Sequence, residues 1–169
     1  MARAALERLK LDKVIFMPTG APRYRAPAVA SGEHRVAMLK LALDRPEYEI
    51  DARELAPGAS GYTVDTLKEL RLELGADTPL WLLMGADQYA RLDQWHRPED
   101  VKRLARVAVF ARPGNSMKGN PVVVPMEPMN MSSSDIRARV ARGEAIDELV
   151  PAAVAGYVAQ HRLYAEAGR

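Results

Sequence analysis

The stretch Leu80-Trp81-Leu82-Leu83-Met84, followed directly by Gly85-Ala86-Asp87, decides how this chain folds. All five residues of the first part are apolar, so this run has no polar face. Such a strand is typical of the centre of a parallel sheet that helices cover on both sides. The sequence therefore predicts a buried strand over residues 80–84 and a turn directly after it.

Segments with strand character and helix character alternate on both sides of this run. Clusters of apolar and β-branched residues predict further strands at Val14–Met17, Tyr48–Leu55, Val107–Ala111 and Val122–Val124. Helix-forming residues with start and stop signals predict helices over 1–11, Ser31–Leu43, Thr63–Gly75, Pro98–Leu104, Ser132–Arg142 and after Pro151. The alternation predicts one α/β domain over residues 1–169, with a doubly wound parallel sheet and helices on both faces.

The composition excludes several classes of protein. Hydrophobic residues make up 48% of the chain and charged residues 27%, as in globular proteins. The 24 basic and 22 acidic residues are mixed along the chain, so no basic patch indicates a nucleic-acid partner. With no cysteine and only three scattered histidines, a metal site built by the protein is not expected. No segment resembles a signal peptide or a membrane span, so we expect a cytoplasmic protein without a membrane partner. The oligomeric state stays open.

The segment Met131-Ser-Ser-Ser-Asp-Ile-Arg137 carries the strongest signal for a binding site. In a doubly wound sheet, ligands lie beyond the carboxyl ends of the strands. Three hydroxyls and the N–H groups of a helix start would converge there, with Arg137 one turn further along. This pattern predicts an anion site that could hold phosphate. The alternative is an ordinary serine cap with a surface arginine.

Five further residues are of interest: two follow a predicted strand, one begins a predicted helix and two lie just before another helix. Gly85 would let a ligand approach the backbone and Asp87 could accept from ribose hydroxyls, or they form a turn and an N-cap. Thr63 is expected to cap its helix, where a hydroxyl and free amides could also bind a carboxylate. Trp95 could stack on a planar ring or simply pack, and its neighbour His96 is expected on the surface with no evident partner.

Together these segments resemble the nicotinate-mononucleotide adenylyltransferase family, over about Leu6 to Tyr164. The stretches that carry the resemblance are Val14-Ile-Phe-Met-Pro18, Glu33-His-Arg-Val-Ala-Met-Leu39, Arg53-Glu54-Leu55, Gly61-Tyr-Thr-Val-Asp-Thr-Leu67, Met84-Gly-Ala-Asp87, Trp95, Arg112-Pro-Gly114, Ser132-Ser-Ser-Asp-Ile-Arg137 and Leu149-Val-Pro151. The serine-rich motif is shared with related adenylyltransferases, whereas the Tyr-Thr-Val-Asp-Thr-Leu run with Gly-Ala-Asp and the tryptophan is more specific to the nicotinate branch.

The resemblance implies a Rossmann-like fold and transfer of AMP from ATP to nicotinate mononucleotide. The products would be deamido-NAD and pyrophosphate, in NAD biosynthesis. By analogy, the mononucleotide would be held by Tyr62, Thr63, Trp95 and His96. ATP would be held by Gly85, Asp87, Ser133, Ser134, Arg137 and Arg25. Mg²⁺ would be bound through the ATP phosphates rather than by the protein.

Two departures from the family pattern leave alternatives open. The chain has Pro22-Arg-Tyr-Arg25 where the family often has Pro-Pro-His-Lys, so Tyr24 cannot supply the histidine cation. The family's opening strand, with Gly-Gly-Thr-Phe-Asp-Pro and His-x-Gly-His, has no counterpart in the 169 residues, so no catalytic residue is identified. We expect that strand upstream of Met1, between the strands at Val14–Met17 and Leu80–Met84. The alternatives are a related adenylyltransferase for another phosphate substrate and a catalytically inactive relic that binds nucleotide.

Overall fold

The structure of the chain is a computed structural model that describes residues 1–20, 28–111, 117–119, 121–126 and 131–165. Its residue contacts divide the chain into two compact units, each of which is described by itself. Unit 1 comprises Met1–Val14 and Tyr62–Pro128, and unit 2 comprises Ile15–Gly61 and Met129–Arg169. The prediction of a single domain over residues 1–169 stays a prediction. In the described residues, no helix is both long enough and apolar enough to span a membrane.

The helices and strands alternate along much of the chain, as the sequence predicts, although β5 follows β4 and α7 follows α6 directly among the described elements. The strands are β1 (Val14–Phe16), β2 (Tyr48–Ile50), β3 (Trp81–Gly85), β4 (Arg106–Ala111) and β5 (Val122–Pro125). The α-helices are α1 (Ala2–Leu9), α2 (Gly32–Ala42), α3 (Thr63–Leu74), α4 (Ala86–Tyr89), α5 (Pro98–Leu104), α6 (Ser133–Ala141) and α7 (Ala152–Gln160). Two short 3-10 turns lie at Arg53–Leu55 and Leu92–Gln94.

The sheet of unit 1 is parallel, and its strands lie in the order β3-β4-β5. In the described sheet β4, not β3, has a partner on both sides. Four of the six β4 residues are buried, whereas Met84 is the buried residue of β3. The strands β1 and β2 form a separate pair.

The core of unit 1 forms where α1 lies against this sheet. The buried side chains of Ala5, Ala108, Phe110 and Val124 make up one cluster, with Ala5 and Ala108 fully buried. Helix α1 has no side-chain cap at its start, as the sequence predicts. It ends at Lys10, whose φ of 51° is left-handed, with the Leu11 N–H donating to the Leu6 oxygen at 3.1 Å. This ending closes the helix just before the chain enters β1.

Unit 2 contains the β1–β2 pair, in which the Asp51 N–H donates to the Phe16 oxygen at 3.0 Å. The prediction of a strand over Tyr48–Leu55 is wrong beyond Ile50. The Asp51 carboxylate accepts from the backbone N–H of Arg53 at 2.9 Å and from its Nε at 2.7 Å. This local contact turns the backbone into the 3-10 turn and competes with a continued strand.

Helices α2 and α7 of unit 2 contact one another through aromatic side chains that lie far apart in the sequence. His34 Nδ1 lies 2.9 Å from the Tyr157 hydroxyl, and the His34 and His161 rings are 5.1 Å apart. The buried side chains of the same unit include Ile146, Val154 and Val158, which belong to its apolar core. Contacts between α2 and α7 therefore combine ring packing with burial of apolar side chains.

One arginine of unit 1 holds the ends of two helices. The Nε and Nη2 atoms of Arg71 donate to the Leu104 oxygen at 2.9 and 2.7 Å, at the end of α5. Its Nη1 donates to the oxygens of Ala76 and Thr78, in the turn that follows α3. Carbonyl groups at a helix end lack intrahelical donors, and the guanidinium supplies them here.

We expect Arg71→Ala to lower the free energy of unfolding by about 1.5–3 kcal/mol, because several carbonyl groups lose a charged donor together. Arg91, an exposed arginine of the same unit, is the matched control. Its replacement by alanine should change stability by less than about 0.5 kcal/mol. Urea unfolding of both variants measures this, and equal stabilities would contradict a clamping role for Arg71.

Candidate active site

The end of β3 carries two of the predicted binding residues. Gly85 is the last residue of β3 and pairs with Phe110 of the parallel strand β4. A Cβ atom at position 85 would lie 2.8 Å from Oδ1 of Asp87, so any other residue there would require this exposed carboxylate to move. Asp87 is exposed and is the second residue of α4, so it is not the N-cap of that helix. Its Oδ2 accepts a long hydrogen bond of 3.3 Å from Gln88 and keeps capacity for a ligand.

The start of α3 differs from its prediction in one respect. Tyr62, in extended backbone geometry, is the N-cap residue, and no side chain caps the helix. The prediction that Thr63 caps α3 is therefore wrong, because Thr63 is already the first helical residue. Its hydroxyl has no partner within the described residues. Both this hydroxyl and the first N–H groups of α3 can bind an acceptor.

A ring contact brings the start of α3 together with the segment before α5. The Tyr62 and His96 rings are stacked, with centroids 4.2 Å apart and planes 30° apart. His96 is exposed, as predicted, but it does have a partner. The contact places Tyr62 and Thr63 beside Trp95 and His96, which gathers the four residues predicted to hold the mononucleotide. Because 34 positions separate the two rings, no local pattern in the sequence indicates this contact.

The backbone around Trp95 offers fewer donors than the sequence suggests. The Trp95 N–H donates to the Leu92 oxygen at 3.0 Å and is therefore not a free amide. The side chain of Trp95 is half-buried, and the N–H of His96 has no partner in the part of the chain described. Arg97 then adopts a left-handed φ of 52°, and Pro98 opens α5. The His96 amide therefore lies in neither a helix nor a strand.

The serine-rich motif of unit 2 forms the start of α6. Ser132 is its cap: the hydroxyl accepts from the Asp135 N–H at 3.1 Å and donates to Oδ2 of Asp135 at 2.6 Å. The sequence predicts that three hydroxyls converge on a ligand here. The prediction is wrong for Ser132, because its hydroxyl is already hydrogen-bonded to Asp135 within the protein. The exposed residues Ser133 and Ser134 follow, and Nη2 of Arg137 donates to the Ser134 hydroxyl at 3.1 Å. The hydrogen bond directs the Arg137 guanidinium toward the helix start.

The structure brings the predicted ATP contacts together in two separate groups. Ser133, Ser134 and Arg137 come together in unit 2, and Gly85 and Asp87 come together in unit 1. Arg25, the remaining predicted ATP contact, lies outside the described residues. Tyr89 of α4 is not among the residues that the sequence predicts for the site. Its hydroxyl donates to the Lys118 oxygen at 2.7 Å.

Shifted pKa values lie on two surface ion pairs of the described residues. A hydrogen bond from Lys102 Nζ, 2.8 Å away, lowers the pKa of the Asp93 carboxyl, and Lys118 adds a smaller effect through its charge. In unit 2, the Arg142 guanidinium lowers the pKa of Glu144 through a hydrogen bond of 2.6 Å. Both pairs are exposed. Their shifted pKa values are the result of local charge contacts and identify no general acid or base.

No group of three or more histidine, aspartate or glutamate side chains that could hold a metal ion occurs among the residues described. The groups gathered at the start of α6 are hydroxyls, N–H groups, a guanidinium and the Asp135 carboxylate, which Ser132 engages. The N–H groups and the guanidinium are donors, which suit phosphate oxygens rather than a cation.

Comparison with known proteins identifies the family. A family profile described as Cytidylyltransferase-like matches residues 1–139. The chain is 40% identical to the probable nicotinate-nucleotide adenylyltransferase of Laribacter hongkongensis, covering 97% of this chain and 86% of that protein. It is 37% identical to the Bordetella petrii protein of the same name, covering 97% and 89%. The chain belongs to the nicotinate-nucleotide adenylyltransferase family. The resemblance found in the sequence is thereby confirmed.

Solved structures support the same fold for this family member. The nicotinic acid mononucleotide adenylyltransferase of Plasmodium falciparum complexed with NaAD aligns with a TM-score of 0.72, over 96% of this chain and 89% of that one. A structure of the same enzyme complexed with APC aligns with a TM-score of 0.69. Sequence identity is 14% in both cases, so the likeness concerns the fold. The predicted Rossmann-like α/β class is confirmed.

The Tyr62–His96 stack should contribute measurably to the stability of unit 1 in this adenylyltransferase family member. A double-mutant cycle with Tyr62→Ala and His96→Ala is expected to give a coupling free energy of about 0.5–1.5 kcal/mol. Chemical unfolding of the wild type, both single variants and the double variant measures it. Strictly additive losses would show that the two rings do not stabilise one another.

Proposed function

We propose that this protein transfers the AMP moiety of ATP to nicotinate mononucleotide. In the reaction, a phosphate oxygen of the mononucleotide attacks the α-phosphorus of ATP and forms a new P–O bond. The bond between the α-phosphorus and the bridging oxygen to the β-phosphate breaks, so that deamido-NAD and pyrophosphate are released. The observation that carries the proposal is the Tyr62–His96 stack, because it gathers the side chains suited to a nicotinate group in a chain of this family.

The nicotinate end of the substrate fits the donors at the start of α3. The carboxylate is an acceptor, and the Thr63 hydroxyl, the N–H groups of Thr63 and Val64 and the His96 N–H are donors without partners in the described residues. The positive end of the helix dipole adds to this preference for an anion. The half-buried indole of Trp95 would lie against the pyridine ring.

The ATP end of the reaction fits two other groups of residues. In unit 1, the exposed Asp87 carboxylate can accept hydrogen bonds from ribose hydroxyls, and Gly85 allows a close backbone approach. In unit 2, Ser133, Ser134 and Arg137 supply donors and one positive charge for phosphate oxygens. We assign Arg25 to the same phosphates by its charge.

Mg²⁺ would enter with ATP, bound through its phosphates, and would reduce their negative charge. The chain itself would orient the two substrates and balance the charge that develops on the phosphates. Such positioning requires neither a covalent intermediate nor a protein nucleophile.

The proposal predicts that nicotinate mononucleotide is a better substrate than its amide. The amide group places an N–H₂ donor where the protein offers donors, which leaves buried groups unpaired at a cost of about 1–3 kcal/mol each. Steady-state assays of dinucleotide and pyrophosphate formation with both mononucleotides measure kcat/KM. Equal values for acid and amide would reject the nicotinate assignment, and activity with neither would reject the reaction.

For the phosphate site, we expect Arg137→Ala to weaken ATP binding by about 1.5–3 kcal/mol, the contribution of a charge-assisted hydrogen bond. Arg139→Ala removes a more exposed arginine of the same helix and should leave the affinity nearly unchanged. Calorimetric titration with ATP compares the two variants. An unchanged affinity in Arg137→Ala would mean that the serine motif acts only as a helix cap.

A further inference from the structure

The residues that follow β3 meet the segment that follows β4 through one hydrogen bond. Because β3 and β4 are parallel and in register up to Gly85 and Phe110, their carboxyl ends lie at the same edge of the sheet. Helix α4 begins directly after Gly85, and residues 117–119 lie between β4 and β5 in the chain. Tyr89, the last residue of α4, donates its hydroxyl hydrogen to the Lys118 oxygen at 2.7 Å.

The backbone at Gly119 is shaped to this contact. Its φ of +79° is one that L side chains rarely adopt. A Cβ atom at that position would lie 3.0 Å from the Tyr89 hydroxyl oxygen, so the glycine leaves the space that the hydroxyl occupies. The glycine therefore leaves room for the tyrosine hydroxyl, which donates to the neighbouring carbonyl of Lys118.

A second observation links the same segment to the residues after β3. The positive charge of Lys118 is one of the causes that lower the pKa of Asp93, which lies in the 3-10 turn Leu92–Gln94. The principal cause is the hydrogen bond from Lys102. Residues 117–119 thus contact α4 through a hydrogen bond, and the charge of Lys118 acts weakly on the 3-10 turn.

We propose that Tyr89 is a positioning residue for ATP, acting through the Lys118 carbonyl to fix α4 against residues 117–119. This inference rests on the proposed function, in which Gly85 and Asp87 at the start of α4 contact the ribose. Asp87 lies two positions before Tyr89 in a helix of only four residues. Such a short helix has little stability of its own, so its orientation depends on contacts at its ends. Loss of the hydroxyl would release α4 and lower the affinity for ATP without removing a group that touches ATP.

The test is Tyr89→Phe, which removes the hydroxyl and keeps the ring. We expect the Kd and the KM for ATP to rise about 3- to 10-fold, the loss of one neutral hydrogen bond, with kcat within twofold. The Kd for nicotinate mononucleotide and the melting temperature should hardly change. Tyr48→Phe is the matched control, because the Tyr48 hydroxyl has no hydrogen bond within the described residues. It should leave both affinities unchanged.

A second variant approaches the contact from the other side. Gly119→Ala should also weaken ATP binding, and its effect in the Tyr89→Phe background should be smaller than in the wild type. An ATP affinity within twofold of wild type in Tyr89→Phe, or equal losses for both substrates with a lower melting temperature, would overturn the positioning role. A wild type that binds ATP but forms no deamido-NAD would overturn the proposed function alone, since the Kd comparison still decides the role of Tyr89.

Discussion

Parallel pairing of β3 with β4 is the constraint on which the candidate site of unit 1 depends. Five residue pairs in register, from Trp81 with Arg106 to Gly85 with Phe110, bring both strands to an end at the same edge. Strand β4 is the more deeply buried of the two and anchors the sheet to α1. A rigid edge of this kind lets a helix of four residues present Asp87 in a defined place, which a loop of similar length would not achieve.

The start of α6 combines two requirements that oppose one another. The Asp135 carboxylate stabilises the helix through the Ser132 capping box and the helix dipole. The same negative charge repels the phosphate that a helix start would otherwise attract. Asp135 turns one oxygen to Ser132, while Arg137 supplies a positive charge one turn on and contacts Ser134. Helix stability and anion binding are thus served by different residues of a single six-residue motif.

Most of the secondary structure could be predicted because its signals are local. The serine caps at Ser31 and Ser132 and the stop at Gly75 all lie where the sequence places them. The early end of β2 could not be predicted from apolar patterning, because a side-chain contact between Asp51 and Arg53 decides it.

The candidate site shows the same division between local and distant signals. Its residue types were evident from the motifs, since hydroxyls, glycine and aspartate follow strands or begin helices. Their arrangement was not evident. The stacking of Tyr62 on His96 and the approach of His34 to Tyr157 join residues far apart in the chain. Contacts of this kind depend on how elements pack, and no window of sequence contains them.

The close approach of Gly85 to the Asp87 carboxylate has a consequence for how the sequence can vary over time. A side chain at position 85 would meet Oδ1 of Asp87, and the exposed carboxylate would have to rotate away. A lineage that replaced the glycine would keep the acid but move it from its present place at the end of β3, so the advantage of each residue depends on the other. Among homologues, the two positions should therefore be retained together or lost together, as a single inherited unit.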